Sequence, residues 1–269
     1  MKVKYLLVAI LSIFALISVF PILWMFIIAL KPGTSVISTP PDLSLYNITL
    51  INFINLFKNS GIIRWIFNSL FVSITVMLLN VLFSSMAGYS FSKKDYPGKK
   101  ILFTITIGMM MVSTQVIMVP LFIQVKNLGL YNTYMGLILP VMSSPLYVFL
   151  SCQYMRSISN ELLSAARIDG CSELSTFTKI VLPMSVPVLG IICIFCFITQ
   201  WNDLLWPLVI TGSKEMRTLT VGLATTQLQT IDYGFLMAGS VVATIPILII
   251  FFSFQKFFVT GLTVGSVKE

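Results

Sequence analysis

The stretch Glu161-Leu-Leu-Ser-Ala-Ala-Arg-Ile-Asp-Gly170 lies in a polar segment that closes at Leu182-Pro183 and separates the fourth long apolar run of the chain from the fifth. Hydrophobic residues make up 57% of the 269 residues, charged residues make up only 10%, and the mean hydropathy is +0.96. Soluble domains carry about 25% charged residues, so the composition indicates an integral membrane protein. In such a chain, a patterned amphipathic insert faces water and is the part that we expect to meet a partner protein.

Six apolar runs of about 21–27 residues flank this insert, and each is long enough to cross a ~30 Å hydrocarbon core as a helix. A membrane β-barrel would show alternating segments of about ten residues instead. The sequence therefore predicts an all-α membrane protein with six transmembrane helices in a single transmembrane domain, 1–269. The predicted spans cover approximately residues 5–30, 65–91, 101–125, 134–154, 184–210 and 234–259, with a cytoplasmic loop at 156–183.

The lysine and arginine residues predict the orientation of these spans. With both termini in the cytoplasm, eleven of the 17 basic residues lie on the cytoplasmic side, as the positive-inside rule requires. We interpret the cluster Lys93–Lys100 as an anchor beside anionic lipid headgroups. The net charge of +8 is then a topology signal and gives no indication of nucleic acid as a partner.

The first run follows two lysines and so resembles a secretory signal peptide. Its roughly 26 apolar residues exceed the usual apolar core of a signal peptide, and no small-x-small cleavage site follows before Lys31. We expect a retained helix in a multi-pass protein of the cell membrane.

The residue inventory argues against catalysis by this chain. It contains no histidine, which excludes a Ser-His pair or an HExxH metal helix, and it has no GxxxxGK[ST] phosphate loop. Cys193 and Cys196 have CxxC spacing but fall inside the fifth run, so we interpret them as packing residues. Among the nine acidic residues only Asp203 lies inside a run, near its end. Ion-driven carriers usually keep a carboxylate at mid-membrane, so a transporter of this kind would take its energy from another subunit.

The insert has the signals of a short helix with a defined end. Ser159 is a good N-cap, and Glu161 in the first turn complements the helix dipole. Ala165 and Ala166 leave a shallow surface that another protein could approach closely. Gly170 stops the helix where positive φ costs little. An ordinary amphipathic loop that packs on its own bundle explains the same pattern.

The insert resembles the EAA-type cytoplasmic loop of binding-protein-dependent ABC importer permeases, on the residues Glu161-Leu-x-x-Ala-Ala-x-Ile-Asp-Gly170 and Phe177-x-x-Ile-x-Leu-Pro-x-x-x-Pro187. Further pieces stand in the order found in the carbohydrate permeases of this family, the maltose-permease-like smaller subunit. These pieces are Asn68-Ser-Leu70, Gly88-Tyr-Ser-Phe91, Pro120-Leu121, Gly136-Leu-Ile-Leu-Pro140, Trp201-Asn-Asp-x-x-Trp-Pro-Leu208, Gln255-Lys-Phe257, Gly261-Leu262 and Gly265-x-x-Lys268.

The resemblance implies a type I ABC importer permease fold and a transport subunit that is not itself an enzyme. Two copies of a separate ATPase would bind ATP and magnesium, so this chain would bind no cofactor. A second, distinct permease would complete the pathway, and an extracellular solute-binding protein would deliver a sugar or oligosaccharide. The residues expected to dock on the ATPase are Glu161, Leu162, Ala165, Ala166, Asp169, Gly170, Leu182 and Pro183.

The chain departs from the family pattern at two positions. Ser159 stands where the family often has proline, and Ser164 stands where it often has glutamate. Serine can cap a helix as well as proline can begin one. A salt bridge of the missing glutamate cannot be carried over, so docking is expected to depend more on shape.

Substrate contacts are predicted from polar residues near span ends. Trp201-Asn-Asp203 combines an aromatic face, an amide and a carboxylate, which suits sugar hydroxyls, and Gln115 in the third span could line the pathway. The same residues could instead form an interfacial anchor, a gate, or contacts to the binding protein or the second permease. Two other functions remain open, an ion-coupled secondary carrier for a small polar solute, and a membrane enzyme or assembly factor.

Overall fold

The computed structural model of the chain describes residues 2–32, 48–227 and 232–264. Within these ranges the regular structure is helical. The helices are α1 (Lys2–Ala29), α2 (Ile51–Asn59), α3 (Ile62–Lys93), α4 (Lys99–Met109), α5 (Thr114–Asn127), α6 (Tyr134–Ile138), α7 (Pro145–Arg156), α8 (Asn160–Ile168), α9 (Glu173–Thr176), α10 (Leu182–Met184), α11 (Val186–Trp201), α12 (Leu205–Ile210), α13 (Leu219–Gln227) and α14 (Tyr233–Val264). Short 3₁₀ turns lie at Leu139–Val141 and Lys214–Met216, and a π-helix lies at Phe177–Val181. The Gly265–Lys268 piece of the family resemblance lies outside the described residues.

Three helices are long and apolar enough to cross a membrane, namely Lys4–Ala29, Ile62–Lys93 and Tyr233–Gln255. Three bent pairs meet the same criteria if each pair counts as one span. They are Lys99–Met109 with Thr114–Asn127, bent by 102°, Tyr134–Val141 with Pro145–Arg156, bent by 44°, and Glu173–Met184 with Val186–Trp201, bent by 73°. By length and composition, the described residues therefore provide three to six candidate spans, and the all-α membrane fold is confirmed.

The apolar runs coincide with these elements. Pro183 and Pro187 predict the kinked entry to the fifth run, but the breaks after Met109, Val141 and Trp201 were not predicted. The run 101–125 bends sharply after Met109, where Ser113 adopts an extended conformation before α5 begins. The run 184–210 is interrupted between α11 and α12. A separate bend of 73° lies at the entry to this run, between Met184 and Val186. It is close to Pro183, which lacks a backbone N–H and is separated from the π-helix only by Leu182. Hydropathy counts apolar residues and is insensitive to such local breaks.

The chain forms two compact units, of which the first consists of the chain up to Ile66 together with Thr218–Pro246. In this unit Asn52 closes the end of α1, since its Nδ2 donates to the carbonyls of Ala29 at 2.9 Å and Lys31 at 2.6 Å. The buried Trp65 ring packs directly on Gly222, where a side chain would collide with it. Asn52 is supplied by the short helix α2, which belongs to this unit.

The second unit consists of Phe67–Arg217 and the chain from Ile247 onward. Its part of α3 buries a stripe of small polar residues that permits close packing: Asn68, Ser69, Ser73, Asn80, Ser84 and Ser85. Helix α7 approaches so closely that a Cβ on Gly88 would lie 2.6 Å from the Ser151 Cβ, which explains why glycine is needed there. This part of α3 is therefore the scaffold of the unit.

Asn80 closes the break between the 3₁₀ turn Leu139–Val141 and α7. Its Nδ2 donates to the Val141 carbonyl at 2.8 Å, and its Oδ1 accepts from the Ser144 amide at 2.7 Å. Both backbone groups lie at a helix end, where no intrahelical partner is available. One buried side chain thus satisfies both sides of a bend.

The variant Asn80→Leu is expected to destabilise the protein by about 1–3 kcal/mol because it leaves two backbone groups without partners. The thermal midpoint of the purified protein should fall by several degrees, at roughly 2–4 °C per kcal/mol for a chain of this size. The matched control is Thr106→Val, which removes an exposed hydroxyl that bonds only within α4. Equal midpoints for the two variants would contradict this role of Asn80.

Candidate functional site

Helix α8 is a short helix with both ends fixed by side-chain or backbone bonds. At its start the Ser159 hydroxyl accepts from the Leu162 amide at 3.4 Å and bonds to the Glu161 carboxylate. At its end Gly170 has φ +80°, its amide donates to the Arg167 carbonyl at 3.1 Å, and the Cys171 amide donates to the Ala166 carbonyl at 2.9 Å. This pair of bonds is a Schellman motif, so the helix ends where the sequence predicts.

The Ser159 hydroxyl bond is the main cause that lowers the pKa of Glu161 below its ordinary value. A bond from the residue's own amide acts in the same direction. The Glu161 carboxylate is fully exposed and therefore charged at neutral pH. It stands at the helix N-terminus, where negative charge is favourable, and can meet a basic group of a partner protein.

The two faces of α8 differ in what they contact. Leu163 and Ala166 are buried, and Leu163 belongs to an apolar cluster with Tyr89, Met155, Ile158 and Val181. Ala166 is thus covered by its own chain in the isolated protein, and its predicted contact with the ATPase stays a prediction. The opposite face, which we call the outer face of α8, is exposed and consists of Glu161, Leu162, Ala165, Ile168 and Asp169.

Ile168 is the most exposed large apolar residue of this face, with 86% of its surface accessible. It was not among the predicted docking residues, although its position one turn after Ala165 could have indicated it. Leu174 in α9 is 72% exposed. Exposed large apolar residues close together on a protein surface are typical of a contact surface. Leu182 is half-buried and Pro183 is exposed, but both lie in α10, beyond the π-helix.

The start of α8 is tied to the end of α3 by one lysine. The Lys93 ammonium donates to the carbonyls of Arg156, at 3.3 Å, and Ile158, and to the Asn160 Oδ1 at 3.0 Å. The ammonium thus satisfies carbonyl groups at the C-terminal end of α7, where a cation is favourable. It also bonds to the first residue of α8. The charge pattern predicts a lipid-headgroup anchor that includes this lysine, whereas in the structure Lys93 contacts the polar insert.

The segment after α8 is tied to the same end of α3 by Glu173, the first residue of α9. Its carboxylate pairs with Lys94, accepts from the Tyr89 hydroxyl at 3.1 Å, and lies 3.4 Å from the Arg167 guanidinium. The Tyr89 ring also packs against Phe177, with centroids 5.3 Å apart. Helix α8 is therefore held at both ends, by contacts that join residues 63 to 84 positions apart. Local sequence patterns do not reveal such pairs.

The predicted substrate residues are only partly brought together. Gln115 at the start of α5 and Asp203 before α12 line one cavity of about 310 Å³ within the second unit. Trp201 is buried and stacks on Phe197, with centroids 5.6 Å apart. Asn202 is exposed and donates to the Ile198 carbonyl at 2.9 Å, at the end of α11. The aromatic residue in the cavity lining is Trp206.

The cavity lies between α5, the end of α11 and the start of α12. Asp203 accepts from the Leu205 amide at 3.1 Å and so helps to begin α12. The Trp206 indole N–H donates to the Gly136 carbonyl at 3.1 Å, which fixes the ring against α6. Thr199 and Gln200 contribute polar groups from α11. We call this space the α5–α12 cavity.

Comparison with known proteins places these features in a family. Residues 80–264 match the family described as binding-protein-dependent transport system inner membrane component. The chain is 40% identical to the arabinooligosaccharides transport system permease protein AraQ of Halalkalibacterium halodurans, over 94% of this chain and 92% of that protein. The identity to AraQ of Bacillus subtilis is 38%, over 94% and 92% of the two chains.

A solved structure shares the fold. It is a chain of a bacterial ABC transporter involved in the import of the acidic polysaccharide alginate, which superposes with a TM-score of 0.82 at 24% identity and covers 96% of each chain. At this identity the likeness shows the fold alone, which is that of an ABC importer permease. Together with the match over residues 80–264, these comparisons establish that the chain belongs to the family of binding-protein-dependent transport system inner membrane components.

Proposed function

We propose that this chain is one permease subunit of an ATP-driven oligosaccharide importer and that a separate ATPase subunit grips the outer face of α8. The observation that carries the proposal is the construction of α8. Its outer face is exposed and partly apolar, while its inner face and both ends are fixed to α3 and α7. A surface that is held rigidly can pass on a displacement that a partner imposes on it.

The family supports the remaining partners. Its members are components of binding-protein-dependent systems, so an extracellular solute-binding protein delivers the substrate and a second, distinct permease forms the other half of the pathway. Two ATPase copies bind ATP and magnesium, and this chain contributes no ATPase site. In this proposal α8 and both termini lie in the cytoplasm, which the excess of lysine and arginine on that side of the spans supports.

The proposed mechanism is alternating access driven from the cytoplasmic side. ATP-dependent closure of the ATPase pair displaces α8, and the bonds of Lys93 and Glu173 transmit the displacement to the end of α3. The free energy that drives the closure is the difference in how strongly ATP binds the two states of the assembly. The permease itself supplies only the mechanical connection and the pathway.

The substrate class follows from the relatives. Both AraQ proteins are named for the transport of arabinooligosaccharides, and each aligns with nearly the whole of this chain. We infer a short oligosaccharide as substrate, in agreement with the family resemblance of the sequence.

Site-specific crosslinking tests the docking assignment. In a chain whose cysteines at 152, 171, 193 and 196 are replaced by alanine, Ala165→Cys should form a crosslink to a cysteine in the cleft of the ATPase. Ala165 is exposed, whereas its neighbour Ala166 is buried against the same chain. Ala166→Cys is therefore the matched control, and we expect little crosslinking from it.

Crosslinking depends on ATPase binding, so the intact complex is first isolated by affinity purification. Equal crosslinking at the two positions, or none at position 165 in a complex that does contain the ATPase, would refute the docking of the outer face.

A further inference from the structure

The α5–α12 cavity contains hydrogen-bonding groups that its own walls do not fully use. Gln200 lines the cavity, and its buried Nε2 has no hydrogen-bond partner among the residues that the structure describes. Buried polar groups are almost always paired in folded proteins. The Nε2 atom itself has almost no accessible surface, so a rotation of the Gln200 amide would be needed to bring this donor to a ligand in the cavity.

Other polar groups converge on the same space. The Oε1 of Gln115 accepts from the Ser113 hydroxyl, and the NH₂ of an amide carries two further donor hydrogens. Thr114 and Thr199 add hydroxyl groups to the lining. Asp203 uses one oxygen for the Leu205 amide at 3.1 Å, and a carboxylate can accept about four hydrogen bonds. The cavity thus offers donors and acceptors side by side, as the hydroxyl groups of a saccharide require.

The cavity also has an aromatic wall and a definite charge. The bond from Trp206 to the Gly136 carbonyl holds the indole ring in place. The residue is 5% exposed, so it contributes a small, fixed apolar surface to the cavity. Asp203 gives the lining one carboxylate, and none of the residues assigned to the lining is lysine or arginine. At about 310 Å³ the cavity is at the lower end of the size range of small-molecule sites.

We propose that the α5–α12 cavity is a saccharide subsite that accepts a neutral sugar unit and rejects an anionic one. Gln115, Gln200 and Asp203 bond to the hydroxyl groups, and Trp206 packs on the ring. A uronate or a phosphorylated sugar would bring its negative charge close to Asp203 with no cation in the lining to compensate, and like charges in a partly desolvated site repel. The inference rests on the proposed function and adds to it a location and a charge preference.

Protection of an introduced cysteine from alkylation tests the subsite in the assembled importer. The chain lacking its four native cysteines carries Thr199→Cys, and the probes are arabinotriose, maltotriose and a mannuronate trisaccharide at matched ionic strength. At a neutral probe concentration about ten times its Kd, alkylation should slow roughly tenfold, because only the unoccupied fraction reacts. The mannuronate probe should leave the rate unchanged. Val119→Cys, on the exposed surface of α5 outside the lining, is the control, and its rate should not respond to any probe.

A second variant tests the charge preference separately. Asp203→Asn keeps the shape and the helix-capping ability of the residue while it removes the charge. In this background the mannuronate trisaccharide should begin to protect Thr199→Cys. The neutral probes should need a higher concentration for the same protection, because asparagine has one acceptor oxygen where aspartate has two. Continued indifference to the mannuronate probe would overturn the assignment of selectivity to Asp203.

Two results would overturn the subsite itself. The first is equal protection by neutral and anionic probes in the chain with Asp203 intact. The second is no protection by either neutral probe, which is the result expected if side chains of the second permease fill the cavity. Uptake of the neutral trisaccharides by the same preparation tests the proposed function independently. Uptake without protection refutes the subsite alone, whereas a complete importer that takes up no saccharide refutes the proposed function.

Discussion

The variant Ile168→Asp should reduce uptake by the reconstituted importer by at least about thirtyfold, because docking on the ATPase should lose roughly 2 kcal/mol or more. Ile168 is 86% exposed in the free chain, so aspartate is well solvated there and the fold should tolerate it. In the docked complex, however, a carboxylate would be buried in an apolar contact without a partner, which is strongly unfavourable. Uptake of labelled oligosaccharide into proteoliposomes measures the loss.

The control for this variant is Ile168→Val, which keeps the residue apolar and should retain uptake within a fewfold of the unmodified chain. Circular dichroism and the yield of membrane-inserted protein show whether both variants fold. Normal uptake by a folded Ile168→Asp importer would mean that the ATPase does not grip the outer face of α8.

The second large effect is expected from Lys93→Met, which should impair coupling rather than docking. Methionine replaces the aliphatic stem but makes none of the three bonds to Arg156, Ile158 and Asn160. Bonds from a charged donor contribute about 1.5–3 kcal/mol, and because Lys93 is half-exposed, solvent screening reduces this contribution. We expect the connection between α3 and α8 to lose about 1.4 kcal/mol of stability, which corresponds to a tenfold change in an equilibrium constant. The ATPase should stay bound and hydrolyse ATP, but about tenfold more ATP should be used per sugar transported.

Lys100→Met is the matched control because it removes an equal charge from the start of α4, where the side chain is exposed. The ratio of ATP hydrolysed to sugar transported is measured for both variants in one proteoliposome preparation. An unchanged ratio in Lys93→Met, or the same rise in Lys100→Met, would show that the α3–α8 connection does not transmit the motion.

Much of the fold could be predicted from the sequence because its strongest determinants are local or compositional. Long apolar runs with few charges indicate membrane helices whatever surrounds them. The ends of α8 were also predictable, since Ser159 and Gly170 act on backbone groups only a few residues away. The family resemblance then depended on ordered motifs spread over the whole chain.

The features that could not be predicted depend on contacts between distant residues. The bond of Lys93 to the α7–α8 junction and the pairing of Lys94 with Glu173 join positions that only the fold brings together. The burial of Ala166 has the same origin, because neighbouring alanines on a helix look equivalent until one face meets the cluster around Tyr89 and Met155.

The types of residue near the predicted substrate site could be read from the sequence, but the direction in which each side chain points could not. The break after α11 leaves Trp201 in the interior and brings Trp206 to the cavity instead. Backbone breaks within apolar runs are therefore where sequence reasoning about the transport pathway is weakest.

The most direct test of the central claim is hydrogen exchange of the purified chain in nanodiscs, measured with and without its ATPase. We predict that amides of residues 160–172 exchange more slowly when the ATPase is bound, while those at the exposed start of α4 are unaffected. Bound ATPase with unchanged exchange at residues 160–172, and new protection elsewhere, would contradict the claim that α8 is the point at which the ATPase moves this permease.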